Sequence, residues 1–132
     1  MGAYIRFDRH IHIANKTWSN GVLSHLGYED INEQTLNEII NNKKLKWIQI
    51  SAYLPEEAYR KINQIFSLRP DITFRLFHFL NNEEVDLSFL KDMPYVKKLQ
   101  IDSIDFRDNP RRINLSILQE LNLKSLHIDC FG

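Results

Sequence analysis

The sequence has few of the residues that mark several common classes of protein. Its 132 residues include a single cysteine, Cys130, so no disulfide can form within the chain, which favours a reducing compartment. Only four glycines are present, and none has the spacing of a phosphate-binding loop. No stretch approaches the roughly 20 apolar residues of a membrane helix, and the N-terminus lacks the apolar core of a secretory signal. We therefore expect a soluble, cytoplasmic protein.

The charges of the chain balance. Seventeen lysines and arginines are matched by seventeen aspartates and glutamates, which gives a formal net charge of zero. A balanced chain has no overall attraction for nucleic acid or for an anionic membrane. The basic pairs are short, and we interpret them as solvated faces: Lys43-Lys44, Lys97-Lys98 and Arg111-Arg112. Neither a nucleic acid nor a membrane is expected as a partner.

The first 29 residues combine an alternating segment with a turn. Within residues 3–14 apolar and polar side chains alternate. The apolar ones stand at odd-numbered positions: Ile5, Phe7, Ile11 and Ile13. This period of two predicts one strand, or two short ones, with a solvent-exposed face. Asn20-Gly21 then indicates a turn, because both residues tolerate positive φ. We expect residues 1–29 to form an N-terminal strand or hairpin that caps the rest of the chain.

Two helices are indicated by their starts and by their apolar stripes. The first is expected to begin near Asp30, with Glu33 completing a capping box. The second follows Leu54-Pro55, where proline suits the first helical position. Its apolar residues share one face of the helix: Ala58, Ile62, Ile65 and Phe66. Pro94 argues against a long third helix, so a short helical turn is expected there.

Four predicted strands carry paired inward-facing apolar residues at nearly constant intervals. The pairs are Ile48/Ile50, Phe74/Leu76, Leu99/Ile101 and Leu126/Ile128, and the steps between them are 26, 25 and 27 residues. Three units have a further aliphatic residue three positions before the pair, at Leu45, Val96 and Leu123. The second unit departs from this pattern, because Asp71 occupies that position. In the last unit the apolar spacing tightens from three residues to two, which is typical of a turn followed by a strand.

These units, over about residues 30–131, resemble leucine-rich repeats, whose period is about 20–29 residues. The resemblance implies an α/β fold, a right-handed solenoid with a parallel sheet on one face and helices or turns on the other. A cap in residues 1–29 and four irregular repeats in residues 30–132 would form a single domain. The asparagine or cysteine that usually follows the family's strand is missing, since other residues stand there: Tyr53, Phe79, Ile104 and Phe131. A compact two- or three-layer α/β domain is the alternative fold.

The outward residues of the predicted strands form one shared surface, and solenoids usually bind through such a surface. The expected binding residues are Trp47, Gln49, Arg75, Phe77, Lys98, Gln100, Asp102, His127 and Asp129. Trp47, Arg75 and Phe77 belong to the residue types that dominate interface energetics. Alternatively, Trp47 and Phe77 pack beneath the N-terminal segment or a loop. We expect a non-enzymatic module without a cofactor that binds another protein; an inhibitor of one target enzyme is a second binding role.

The last predicted strand ends the sequence, and no polar capping unit follows it. Solenoids need such a cap, and an uncovered edge strand tends to associate. We expect that this C-terminal edge either pairs with a second copy in a homodimer or belongs to a longer repeat protein.

The rival class is a small metal-dependent α/β hydrolase. His10-Ile11-His12 places two histidines on one face of a strand, where they can grip one metal ion together with Asp8. The spacing also resembles the first-strand ligands of metal-dependent amidohydrolases, although the chain is too short for their barrel. We prefer the interpretation that both histidines lie on a wet strand face. Cys130 and His127 point to opposite faces of their strand, which favours a structural thiol.

Overall fold

The computed structural model describes residues 9–19, 24–77, 86–105 and 116–131. Its seven strands are β1 (His10–Ala14), β2 (Trp18–Ser19), β3 (Ser24–Gly27), β4 (Trp47–Ile50), β5 (Thr73–Phe77), β6 (Lys98–Asp105) and β7 (Ser125–Phe131). Two α-helices are present in these residues, α1 (Glu33–Asn41) and α2 (Glu56–Leu68). Short 3-10 helices span Tyr28–Asp30, Ser88–Asp92 and Ser116–Glu120.

The described strands form one open sheet in the order β2-β3-β1-β4-β5-β6-β7. Six of them run parallel, and β2 pairs antiparallel with β3. From β4 to β7 the order along the chain is also the order across the sheet, and helical segments connect each strand to the next. The prediction of an α/β fold with a parallel sheet is therefore confirmed.

The predicted alignment of the four repeats is the register of the sheet. Ile48 pairs with Phe74, Phe74 with Leu99, and Leu99 with Leu126. The register shifts by one residue in the β6–β7 pair, after Asp102, so that Ile104 lies opposite Cys130. A sequence spacing of about 26 residues thus becomes one step from strand to strand.

The core lies between the sheet and the helices. Ile48, Phe74 and Leu99 are almost completely buried. The predicted stripe of α2 is fully buried against them: Ala58, Ile62, Ile65 and Phe66. Burying a large aliphatic or aromatic side chain stabilises a fold by roughly 1.5–3 kcal/mol, so this layer dominates the stability.

Both α-helices start slightly later than the sequence predicts. The N-cap of α1 is Asn32, whose side chain accepts a hydrogen bond from Thr35 N at 2.9 Å; Asp30 instead ends a 3-10 helix and accepts from the Thr17 hydroxyl. Pro55 is the N-cap of α2 and not its first helical residue. Ser88–Asp92 is the short helical turn expected before Pro94. In the described ranges, no helix has the length and apolar character needed to cross a membrane.

The last repeat differs from the others in its burial. Leu126 occupies the register position of the buried Leu99, yet 45% of its surface is exposed. The expectation that Leu126 packs in the core is therefore wrong in that respect, because β7 is the outermost of the described strands. The predicted turn at Asn20-Gly21 lies outside the described residues.

Candidate functional site

The side of the sheet opposite the core carries the residues that the sequence predicts to bind. We call this surface the open face and define it by the strand residues that alternate with the buried ones on β1 and β4 to β7. Its central row crosses five strands in register: His12, Gln49, Arg75, Gln100 and His127. Because successive side chains of a strand point to opposite faces, one register brings all five residues to the same surface.

A hydrogen-bonded chain links the first three residues of this row. Arg75 Nη1 donates to Gln49 Oε1 at 3.2 Å, and Gln49 Nε2 lies 3.0 Å from His12 Nδ1. The guanidinium has only donors, so it fixes Gln49 Oε1 as the acceptor and Nε2 as the donor. His12 Nδ1 must then accept, which requires a neutral imidazole with its proton on Nε2. The arginine therefore sets the tautomer of a histidine two strands away.

The surroundings of His12 favour the same neutral state. Its side chain is 8% exposed, and its ring stacks on His25 with the centroids 4.0 Å apart. Trp18 lies against His25, with 5.2 Å between the ring centroids. Burial, followed by the nearby His25 and His10, lowers the pKa of His12 from 6.5 to about 4. The prediction of a wet face at His12 is wrong, because the β2–β3 pair covers it.

Arg75 is held from a second side by an aromatic ring. Its guanidinium carbon lies 4.3 Å from the centre of the Phe77 ring, within the range of a cation–π interaction. Both side chains are partly buried. The guanidinium is thereby held between Phe77 and Gln49, and the arginine as a whole is partly exposed.

The structure distributes the other predicted residues along the open face. Trp47, Lys98 and Gln100 are partly buried, and His127 is exposed. Gln49 lies on the predicted face but is 6% exposed, so it supports Arg75 and does not present its own surface. Asp102 and Asp129 are opposite one another in the β6–β7 register, in the same row as Phe77.

His25 and Trp18 are site residues that no local sequence pattern singles out. They belong to the antiparallel pair β2–β3, which reaches the sheet beside β1. His25 reaches the site by stacking on the His12 ring, and no local pattern identifies that contact.

The predicted metal pair does not acquire further ligands in the described part of the chain. No three histidine, cysteine, aspartate or glutamate residues within those ranges are grouped so that they could hold a metal ion. His10 is exposed, whereas His12 uses Nδ1 for Gln49 and its ring face for His25. Asp8 lies outside the described residues.

A small crevice lies on the helical side of the sheet, between Ser88–Asp92 and the last repeat. Its lining is mainly apolar and comprises Leu90, Met93, Pro94, Val96, Leu99, Leu121, Asn122 and Leu123. Its volume is about 10 Å³, room for about one water molecule, whereas ligand pockets usually measure about 300–1,000 Å³. This crevice is a packing gap and does not compete with the open face as a functional site.

No protein-family model, curated protein or solved structure matches this chain. The function must therefore be inferred from the open face, which has a fixed arginine and a row of polar residues.

Proposed function

We propose that this protein is a non-enzymatic binding module that holds another protein against its open face. The observation that carries the proposal is the position of Arg75, fixed by Phe77 at 4.3 Å and by Gln49 at 3.2 Å. Arginine and aromatic residues supply most of the binding energy in protein interfaces. Together with Trp47 on the neighbouring strand, they form the centre of the proposed surface.

Fixing the arginine before binding favours affinity. Ordering a long side chain on association costs about 0.5–1.5 kcal/mol, and that cost is smaller when the free protein already holds the chain. The Gln49 amide is buried and itself fixed by His12, so the support of Arg75 extends into the sheet. Arg75 is therefore preorganised for binding, because its side chain is already held in one conformation while the residue remains partly exposed.

The charges of the open face indicate the chemistry of the partner. Arg75 and Lys98 are the cations of the open face, and the acidic residues Asp102 and Asp129 lie in its next row, in register with Phe77. A complementary protein would present an acidic group to Arg75 and Lys98. Planar carboxylates suit the forked donors of an arginine better than those of a lysine. We therefore propose a partner with an aspartate or glutamate opposite Arg75.

The repeat pattern supports a leucine-rich-repeat-like solenoid as the scaffold of this surface. Parallel strands follow one another across the sheet in chain order from β4 to β7, with steps of about 26 residues. In such a scaffold each repeat contributes one strand to a shared binding face.

Capture experiments test the proposal with matched variants. The open-face variant combines Trp47→Ala, Arg75→Ala and Phe77→Ala. The control combines Tyr95→Ala, Arg60→Ala and Leu68→Ala, exposed residues of similar type on the helical side. Circular dichroism establishes that both fold. A protein captured from extract of the native source by the wild type and by the control, but lost by the open-face variant, is the expected result.

Two results would contradict this function. The first is a partner that binds the open-face variant as well as the wild type but is lost by the control variant. The second is stoichiometric zinc in the purified protein that disappears in a His10→Ala, His12→Ala double variant. Such a result would support the alternative function, a metal-dependent hydrolase. Replacing Arg75 by glutamate tests the charge of the partner, and binding should fall further than with alanine.

A further inference from the structure

The two edges of the described sheet are unlike one another. One edge is β2, which has two residues and belongs to an antiparallel pair. The other is β7, which has seven residues, and no described strand lies beyond it. A short edge is a common protection against association, whereas a long edge offers a row of main-chain donors and acceptors to another strand.

The hydrogen bonds of β7 show which of its residues point toward that edge. Ser125 N donates to the Lys97 carbonyl at 3.1 Å, so Ser125 directs its main chain toward β6. The direction alternates along a strand. The main-chain N–H and C=O groups of His127 therefore also point toward β6. Those of Leu126, Ile128 and Cys130 point away from β6, toward the outer edge of the sheet.

We propose that β7 pairs antiparallel with β7 of a second copy, about a two-fold axis at Ile128, to join the two sheets into one. In this register Ile128 lies opposite the partner's Ile128, and Leu126 opposite the partner's Cys130. All of these residues direct their main chains outward, so about six main-chain hydrogen bonds link the two copies. The contact is isologous and closes as a dimer without leaving a further β7 edge.

The residue types of β7 favour this register over the two that place the axis one residue to either side. An axis at Ile128 places His127 opposite the partner's Asp129 twice, and a histidine beside a carboxylate is a favourable cross-strand pair. An axis at His127 would place two histidines opposite each other, and an axis at Asp129 would do the same with two aspartates. Two carboxylates directly opposite each other are unfavourable, and two opposed histidines each lose the carboxylate partner.

The exposure of Leu126 supports the same contact. Leu126 lies on the core side of the sheet, opposite the buried Leu99, but is 45% exposed at the edge. A second sheet that continues from β7 would bring its own core side next to Leu126. The apolar layer would then extend through the axis into the other copy.

Analytical ultracentrifugation of the full chain tests the association. The expected mass is twice the 15.7 kDa of one chain. His127→Asp places two pairs of carboxylates across the axis and should weaken the dimer roughly tenfold. The exchanged variant, His127→Asp with Asp129→His, restores opposite partners and should recover the wild-type dimer. His10→Asp, which changes an exposed histidine on β1, serves as the control and should have no effect.

Single cysteines locate the axis independently. In a Cys130→Ser background, cysteine is introduced in turn at Leu126, His127, Ile128 and Asp129. Only a residue on the axis faces itself, with Cα atoms about 5.5 Å apart in a hydrogen-bonded pair, which suits a disulfide. Ile128→Cys should therefore form the covalent dimer fastest.

Three results would overturn the proposal: a monomer at every accessible concentration, a dimer that His127→Asp leaves unchanged, or fastest cross-linking at a position other than 128. None of them bears on binding by Arg75, so the two proposals fail independently.

Discussion

Arg69 and Asp71 are joined by two hydrogen bonds, from Nε to Oδ1 and from Nη2 to Oδ2, each 3.0 Å long. The same guanidinium donates to the Ile40 and Asn42 carbonyls at 3.0 Å, at the C-terminal end of α1. The pKa of Asp71 is lowered, mainly because its carboxylate accepts these hydrogen bonds from Arg69. The second repeat thus has an aspartate in place of an aliphatic residue because that aspartate orients the arginine that caps the preceding helix.

Replacing Arg69 should be costly although the residue lies outside every helix and strand. Arg69→Ala leaves several carbonyls at the end of α1 without their donor, and we expect a loss of about 2–4 kcal/mol. Arg69→Lys should recover only part of it, because one ammonium cannot reproduce the planar fork. Urea denaturation measures both variants. Arg60→Ala is the control: its ion pair with Glu56 is exposed and should contribute less than about 0.5 kcal/mol. Equal losses at the two arginines would contradict this role.

The buried amide of Gln49 should stabilise the sheet through both of its ends. Gln49→Leu removes the donor to His12 and the acceptor for Arg75, so we expect a loss of about 1–3 kcal/mol. Gln34→Leu makes the same change at an exposed position of α1 and should be nearly neutral. Thermal or urea denaturation compares the two. A Gln49→Leu protein as stable as the wild type would show that the network adds nothing to the fold.

Protonation of His12 should destabilise the protein in mild acid. In the unfolded chain its pKa is near 6.5, and in the folded protein it is about 4. Between these values the unfolded state binds more protons, so stability falls as the pH drops from about 6.5 to about 4. The difference corresponds to roughly 3 kcal/mol.

Chemical denaturation of wild type and His12→Gln at pH 7.5 and pH 4.5 measures this effect. The variant should lose less stability than the wild type by most of that amount. His127→Gln, which changes an exposed histidine, should follow the wild type when all three proteins are measured at a concentration low enough that the chains are separate. If His12→Gln loses as much stability as the wild type, burial does not keep His12 neutral.

The parts of the structure that the sequence predicts are those written in local patterns. The strands of Ile48, Phe74 and Leu99 and their register can be predicted. The period of two within each strand and the interval of about 26 residues between strands can both be read from the sequence without knowledge of any long-range contact. The Arg69 cap and the burial of His12 depend on pairs 27 and 37 residues apart. Their side chains are polar, and nothing in their immediate neighbours distinguishes them from solvated residues.

Gly27 should tolerate no side chain, for a reason of space and not of backbone angle. Its φ is −65°, which any residue adopts, but a Cβ there would lie 2.6 Å from Thr17 N and 2.9 Å from Lys16 Cα. These neighbours are main-chain atoms and cannot rotate away. Gly27→Ala should therefore cost about 1–3 kcal/mol, measured by denaturation. It should also disturb the bond from Gly27 N to Thr17 Oγ1, which amide exchange of Gly27 would report. Full stability would mean that the turn after β1 can move away.

Leu99 and Leu126 should differ in their contribution to stability although they are register partners on the same side of the sheet. Leu99 is 1% exposed, so Leu99→Ala leaves a cavity and should cost about 2–5 kcal/mol. Leu126 is 45% exposed, so Leu126→Ala loses only part of the transfer free energy and should cost about 1 kcal/mol. Denaturation at low protein concentration, where the chains are separate, isolates this difference. Repeating it at high concentration should raise the cost of Leu126→Ala alone, because only that residue lies at the edge that a second copy would cover. Equal costs for the two variants at low concentration would mean that the last repeat is packed as tightly as the one before it.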